Sequence, residues 1–90
     1  MKGGLKISTT ELIKEFIKVV NSHYPNLCIR FYYNEGLDEY MIWHNDLYLE
    51  FQDSDFKKTV GKIAHDILFA NDIYNFSFGY DYKDFYKNTR

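Results

Sequence analysis

The sequence predicts a two-layer α+β domain: a helix, a three-stranded antiparallel sheet, a second helix, and a short C-terminal helix. Three observations carry this. Two segments, 9–23 and 54–71, place apolar residues at helical spacing. Between them lie three short runs rich in aromatic and branched residues, a strand composition. One residue in five is aromatic (20%), with 46% hydrophobic residues, which excludes a disordered chain. Ninety residues make one domain spanning 1–90, with a modest core.

The first helix is announced by Ser8-Thr9-Thr10-Glu11, which fits a capping box with Ser8 as N-cap. Ile7 and Leu12 stand where a hydrophobic staple belongs. Leu12, Ile13, Phe16, Ile17, Val20 and Tyr24 form its apolar stripe. Pro25 disfavours helical geometry at Tyr24 and ends the helix near residue 23.

Leu27 to Tyr33 reads as the first strand, with Leu27, Ile29, Phe31 and Tyr33 on one side and Cys28, Arg30 and Tyr32 on the other. Residues 34–38 form a loop. Glu39–His44 and Leu47–Gln52 read as a hairpin turning at Asn45-Asp46, residues that tolerate the positive φ of a two-residue turn. That turn fixes a register. It gathers Tyr40, Ile42, His44, Leu47, Leu49 and Phe51 on the face covered by helices. Glu39, Met41, Trp43, Tyr48, Glu50 and Gln52 fall on the other, joined by Arg30 and Tyr32.

Asp53-Ser54-Asp55 supplies caps for the second helix, with Phe56, Val60, Ile63, Ala64, Ile67 and Leu68 as its buried stripe and Asn71 as its end. Ile73 to Phe78 reads as an edge strand or an extended loop broken by Gly79. Asp81 to Lys87 reads as the final helix. Seven aromatics between Tyr74 and Tyr86 give this tail a reason to pack against the domain, and the uncovered sheet face is one place for it.

Net charge is −2, but the charges are unevenly placed. Residues 31–56 hold seven acids (Glu35, Asp38, Glu39, Asp46, Glu50, Asp53 and Asp55) and no Lys or Arg. That block coincides with strands that are apolar on both sides. An aromatic and Met surface rimmed by acids is suited to a basic protein partner. The residues assigned to such a surface are Tyr32, Glu35, Asp38, Glu39, Met41, Trp43, Tyr48 and Glu50. Homodimerisation through the same face is a further reading that the sequence leaves open.

Enzymatic chemistry finds little support. Cys28 lacks an evident base and electropositive setting, and no phosphate-loop pattern occurs. Three histidines and one cysteine show none of the usual metal-ligand spacings, so no metal and no cofactor is expected. A single cysteine excludes an internal disulfide and fits the cytoplasm. The amino-terminal residues lack the roughly 7–15-residue apolar run of a secretory signal, and no stretch approaches the about 20 apolar residues of a membrane span.

The order helix, three strands, helix, over about residues 8–70, resembles the double-stranded-RNA-binding domain. In that family, basic residues at the start of the second helix hold phosphates, and Lys57, Lys58 and Lys62 stand there in this sequence. The acid-only block opposes direct nucleic-acid binding, which depends on neutralising phosphates.

The same layout, with an acidic sheet and an aromatic final segment containing Asp84-Phe85-Tyr86, resembles the small phage anti-CRISPR proteins. Those inhibitors use acidic side chains to occupy a nuclease's DNA-reading site. The resemblance implies a non-enzymatic, anti-defence inhibitor that binds a nucleic-acid-binding protein. An antitoxin or immunity protein predicts the same acidic surface.

Overall fold

The computed structural model describes residues 8–81. Among them, helix α1 (Thr9–His23) is followed by strands β1 (Ile29–Asn34) and β2 (Glu39–His44), a short helix α2 (Leu47–Phe51), and helix α3 (Ser54–Ile67). A 3-10 turn (Phe69–Asn71) then leads to strand β3 (Phe76–Tyr80). The class is α+β, as the periodicity predicts. No helix of the described residues is long and apolar enough to cross a membrane.

α1 begins as the capping box requires, with the Ser8 hydroxyl accepting from the Glu11 N–H at 3.1 Å. The proposed staple residue Ile7 lies outside the described residues. The helix ends at His23, and Tyr24, freed from helical geometry by Pro25, leads into Leu27. Asn21 steadies that exit by donating to the Leu27 carbonyl at 2.7 Å.

β1 and β2 pair antiparallel from Ile29 opposite His44 to Asn34 opposite Glu39. The strand hairpin of this protein is therefore β1–β2. The Asn34 side chain accepts from the Leu37 N–H at 3.1 Å, and Asp38 takes the left-handed conformation (φ 53°).

Four expectations differ from the structure. Leu47–Gln52 is no strand, and Asn45-Asp46 is no hairpin turn. Asp46 instead caps α2, its carboxylate accepting from the Leu49 N–H at 3.0 Å. Nor is the sheet wholly antiparallel. Its order is β1-β2-β3, with β3 parallel to β2. The third strand arrives only after α3 has crossed the sheet, as a parallel neighbour requires a long connection. Gly79 does not break the segment; it lies inside β3, opposite Trp43. The predicted final helix, Asp81 to Lys87, falls almost wholly outside the described residues.

α3 is capped by Asp53, whose side chain accepts from the Asp55 N–H at 2.9 Å. Its helical geometry stops at Ile67, short of Asn71, and Asp72 in the left-handed region (φ 62°) turns the chain back. Ile13, Phe16 and Val20 of α1 meet Phe56, Val60, Ile63 and Ala64 of α3 in one core. Ile42 supplies the sheet's central floor, and Phe78 packs edge-on to Phe16 at 5.8 Å. Both helices therefore cover the face carrying Ile42, His44 and Phe78. Residues alternating with these, including Arg30, Tyr32, Met41 and Trp43, occupy the opposite face.

Gly61 stands inside α3 with no atom within 4 Å of where a Cβ would be. Gly61→Ala should stabilise the domain by about 0.5–1 kcal/mol, through helix propensity alone. Asp46→Ala should cost about 1 kcal/mol by removing the cap of α2. Urea midpoints of the two variants against the parent check both signs.

Candidate functional site

The outer sheet face is built by strand register. Arg30 pairs with Trp43, Tyr32 with Met41, and Asn34 with Glu39. On the other side of β2, Ser77 lies opposite Met41 and Gly79 opposite Trp43. Gly79 has no side chain, so β3 adds none to the face opposite Trp43. Tyr32 is exposed, while Met41, Trp43 and Glu39 are half-buried.

Charge is graded along this face. Arg30 is at the end nearest Trp43. Glu39 is at the other end, next to the β1–β2 turn that carries Glu35 and Asp38. Two of these acids already accept hydrogen bonds. Glu39 accepts from the Ser77 hydroxyl at 2.7 Å, which ties β2 to β3. Asp38 accepts from the Tyr33 hydroxyl, and this bond, with the neighbouring negative charges, raises the phenol's pKa. Between the turn acids stands Leu37, 63% exposed. The sequence reading passed over it, although an apolar residue between acids at a loop tip was visible there.

Of the eight residues assigned to a partner surface, Tyr32, Met41, Trp43 and Glu39 share the outer face, and Glu35 and Asp38 lie in the adjoining turn, where the Asp38 carboxylate is bonded to Tyr33 of the helix-covered side. Tyr48 and Glu50 join neither, because the segment that carries them is helical. Tyr48 is exposed on α2. Glu50 is drawn to the helix-covered side, where its carboxylate meets His44 Nε2 at 2.9 Å and Lys57 Nζ at 3.1 Å.

That pair of contacts defines a second cluster. His44 is fully buried, and its Nδ1 accepts from the Asp46 N–H at 3.2 Å. Nε2 is thereby the protonated nitrogen and donates to Glu50. Burial by itself raises the Glu50 pKa. The hydrogen bonds from His44 and Lys57, with the Lys57 charge, outweigh it and hold the carboxyl below its ordinary 4.5. Beside Glu50 and Lys57 opens a cleft of about 330 Å³, walled by Phe16, Phe56, Phe69, Phe76 and Phe78 and by the α3 backbone at Gly61. The sequence reading missed this cleft. Its wall depends on β3 returning beneath α3, and nothing local signals that.

The three candidate phosphate-binding lysines lie on the exposed side of α3, but not as an unopposed basic patch. Lys57 pairs with Glu50, and Lys62 with Asp66 at 3.6 Å. Asp55 and Asp66 share the same helix. Among the described residues, no group of three or more His, Cys, Asp or Glu side chains is placed to hold a metal ion.

No protein-family model, curated protein or solved structure matches this chain.

A carboxyl whose folded pKa is depressed binds its proton more readily in the unfolded chain. The stability Glu50 contributes is thus fully present above pH 4.5 and is lost as pH falls through its lower folded value. Glu50→Gln should therefore lose less stability than the parent between about pH 5.5 and pH 3. Denaturant midpoints across that range test it, and equal slopes would refute the role assigned to Glu50.

Proposed function

We propose that this protein is a non-enzymatic binding module whose outer sheet face engages a basic site on a partner protein. The observation that carries this reading is the register of β1 and β2. It gathers Tyr32, Met41 and Trp43 on the face opposite both helices, with Glu39, Glu35 and Asp38 at one end. Aromatic and Met side chains at the centre of an interface supply the contact energy, and charges at its edge steer the encounter. The grading of charge sets an orientation: the basic part of the partner faces the β1–β2 turn, and Arg30 meets the less basic part.

The narrower role we propose is inhibition. Acids that pair with the Arg and Lys of a nucleic-acid-binding protein occupy the place of phosphates, as an anti-defence inhibitor of the anti-CRISPR kind would. This role rests on the chemistry of the acid block. The element order offered for the resemblance is changed, since the third strand follows α3. The same change bears on the double-stranded-RNA-binding arrangement, and two of its three lysines are paired with carboxylates.

The test is capture of partners by immobilised protein from a bacterial lysate, with and without nuclease, using the parent and four variants. Trp43→Ala and Tyr32→Ala should lose the specific partner while keeping a native amide spectrum. Combined Glu35→Lys and Asp38→Lys should lose it through the salt-sensitive part of binding. The triple change of Lys57, Lys58 and Lys62 to Glu should leave capture intact. Binding that needs nucleic acid, or fails only in the lysine triple variant, overturns the proposal. Dimerisation abolished by Tyr32→Ala assigns the face to self-association instead.

A further inference from the structure

On the helix-covered side of the sheet, away from the face just discussed, the phenylalanine-walled cleft has one polar end. Its volume of about 330 Å³ is at the small end of ligand sites, which run from roughly 300 Å³ to 1,000 Å³. That accommodates one aromatic or branched aliphatic body, not a chain. Phe56 and Phe78 lie 6.1 Å apart, Phe16 and Phe78 5.8 Å, and Phe69 and Phe76 5.6 Å. Phe16 and Phe56 are fully buried at the base of the cleft, so the rings a ligand meets are those of Phe69, Phe76 and Phe78, and an aromatic ring face favours a cation over an anion.

The polar end is chosen by burial. Glu50 and Lys57 form an ion pair, but the two partners are not equivalent. The Glu50 side chain is 11% exposed and fixed by His44, whereas the Lys57 side chain is 66% exposed. Lys57 can therefore swing into solvent when another cation takes its place at Glu50. Glu50 cannot follow without breaking its bond to a buried imidazole. An anionic ligand that took Lys57 would leave Glu50 less compensated and would face its negative charge. A cationic ligand replaces Lys57 at Glu50 and meets no like charge from the fixed partner.

We infer that the cleft between α3 and β3 binds a small amphipathic amine, its apolar body among the phenylalanines and its ammonium on the outer oxygen of Glu50. Lys57 is the internal cation that the ligand displaces. This inference is independent of the partner-binding face and survives if that reading fails.

The probes are 2-phenylethylamine and its anionic counterpart 3-phenylpropanoate, titrated into the full chain and followed by amide chemical shifts. The amine should bind saturably, shifting Val60, Gly61, Ala64 and Phe78, and bind about tenfold tighter than the carboxylate, as one partly buried charged hydrogen bond implies. Lys57→Ala should tighten the amine by removing its competitor, and Glu50→Gln should weaken it about tenfold. Gly61→Leu, which places a side chain over the mouth where no atom lies within 4 Å of the Cβ position, should abolish binding and keeps the test decisive if Glu50→Gln fails to fold. Equal or tighter binding of the carboxylate, weaker amine binding in Lys57→Ala, or no saturable shift with either probe would overturn the inference.

Discussion

One buried imidazole organises the carboxyl-terminal half of this fold. His44 ends β2 with no exposed surface, so both its nitrogens need partners inside the protein. Nδ1 takes the Asp46 N–H, and Nε2 donates to Glu50. The first bond helps turn the chain directly after β2. The second fixes α2 against that turn, because Glu50 is in α2. The ring itself stacks on Phe78 at 5.3 Å and meets Phe56 and Tyr80 edgewise. Through one side chain, β2, α2, α3 and β3 share a junction. The His44 carbonyl adds to it, accepting from the Asp81 N–H at 3.0 Å.

The junction also allocates the acids. Five of the seven carboxylates in the acid-only block serve as helix caps or internal partners: Asp46 caps α2, Asp53 caps α3, Glu50 holds His44 and Lys57, Asp38 accepts from Tyr33, and Glu39 accepts from Ser77. Those charges stabilise the fold and are spent locally. The acids nearest the outer face are Glu39 at the end of β2 and, in the adjoining turn, Glu35 and Asp38. Among the described residues, both helices lie on one side of the sheet and Glu39 stands at one end of the other, which makes the domain an asymmetric object. That asymmetry gives a partner one preferred orientation.

Much of this was legible in the chain. The capping box of α1, the Asp53 cap of α3, the apolar stripes of both helices, and the bounds of β2 follow from local rules, and those rules act over a few residues. So does the sorting of Tyr32, Met41 and Trp43 away from Ile42 and His44, since side chains alternate along any strand. Leu47–Phe51 was misread for a physical reason. Five residues are too few to distinguish helical from alternating periodicity, and Leu-Tyr-Leu-Glu-Phe satisfies both. What decided it was the Asp46 cap and the demand of His44 for Glu50, the second of which is a tertiary contact.

The sequence by itself therefore determined the class, the two long helices, the central strand and the division of that strand's residues between two faces. Each depends on covalent geometry, side-chain alternation or a cap within one turn. Only the tertiary structure decided that β3 joins the sheet parallel to β2. Only it placed Glu50 on the helix side and assembled a phenylalanine cleft from α1, α3, the 3-10 turn and β3. These depend on which distant segments meet when apolar surface is buried, a choice settled by the whole core at once, not by any local pattern.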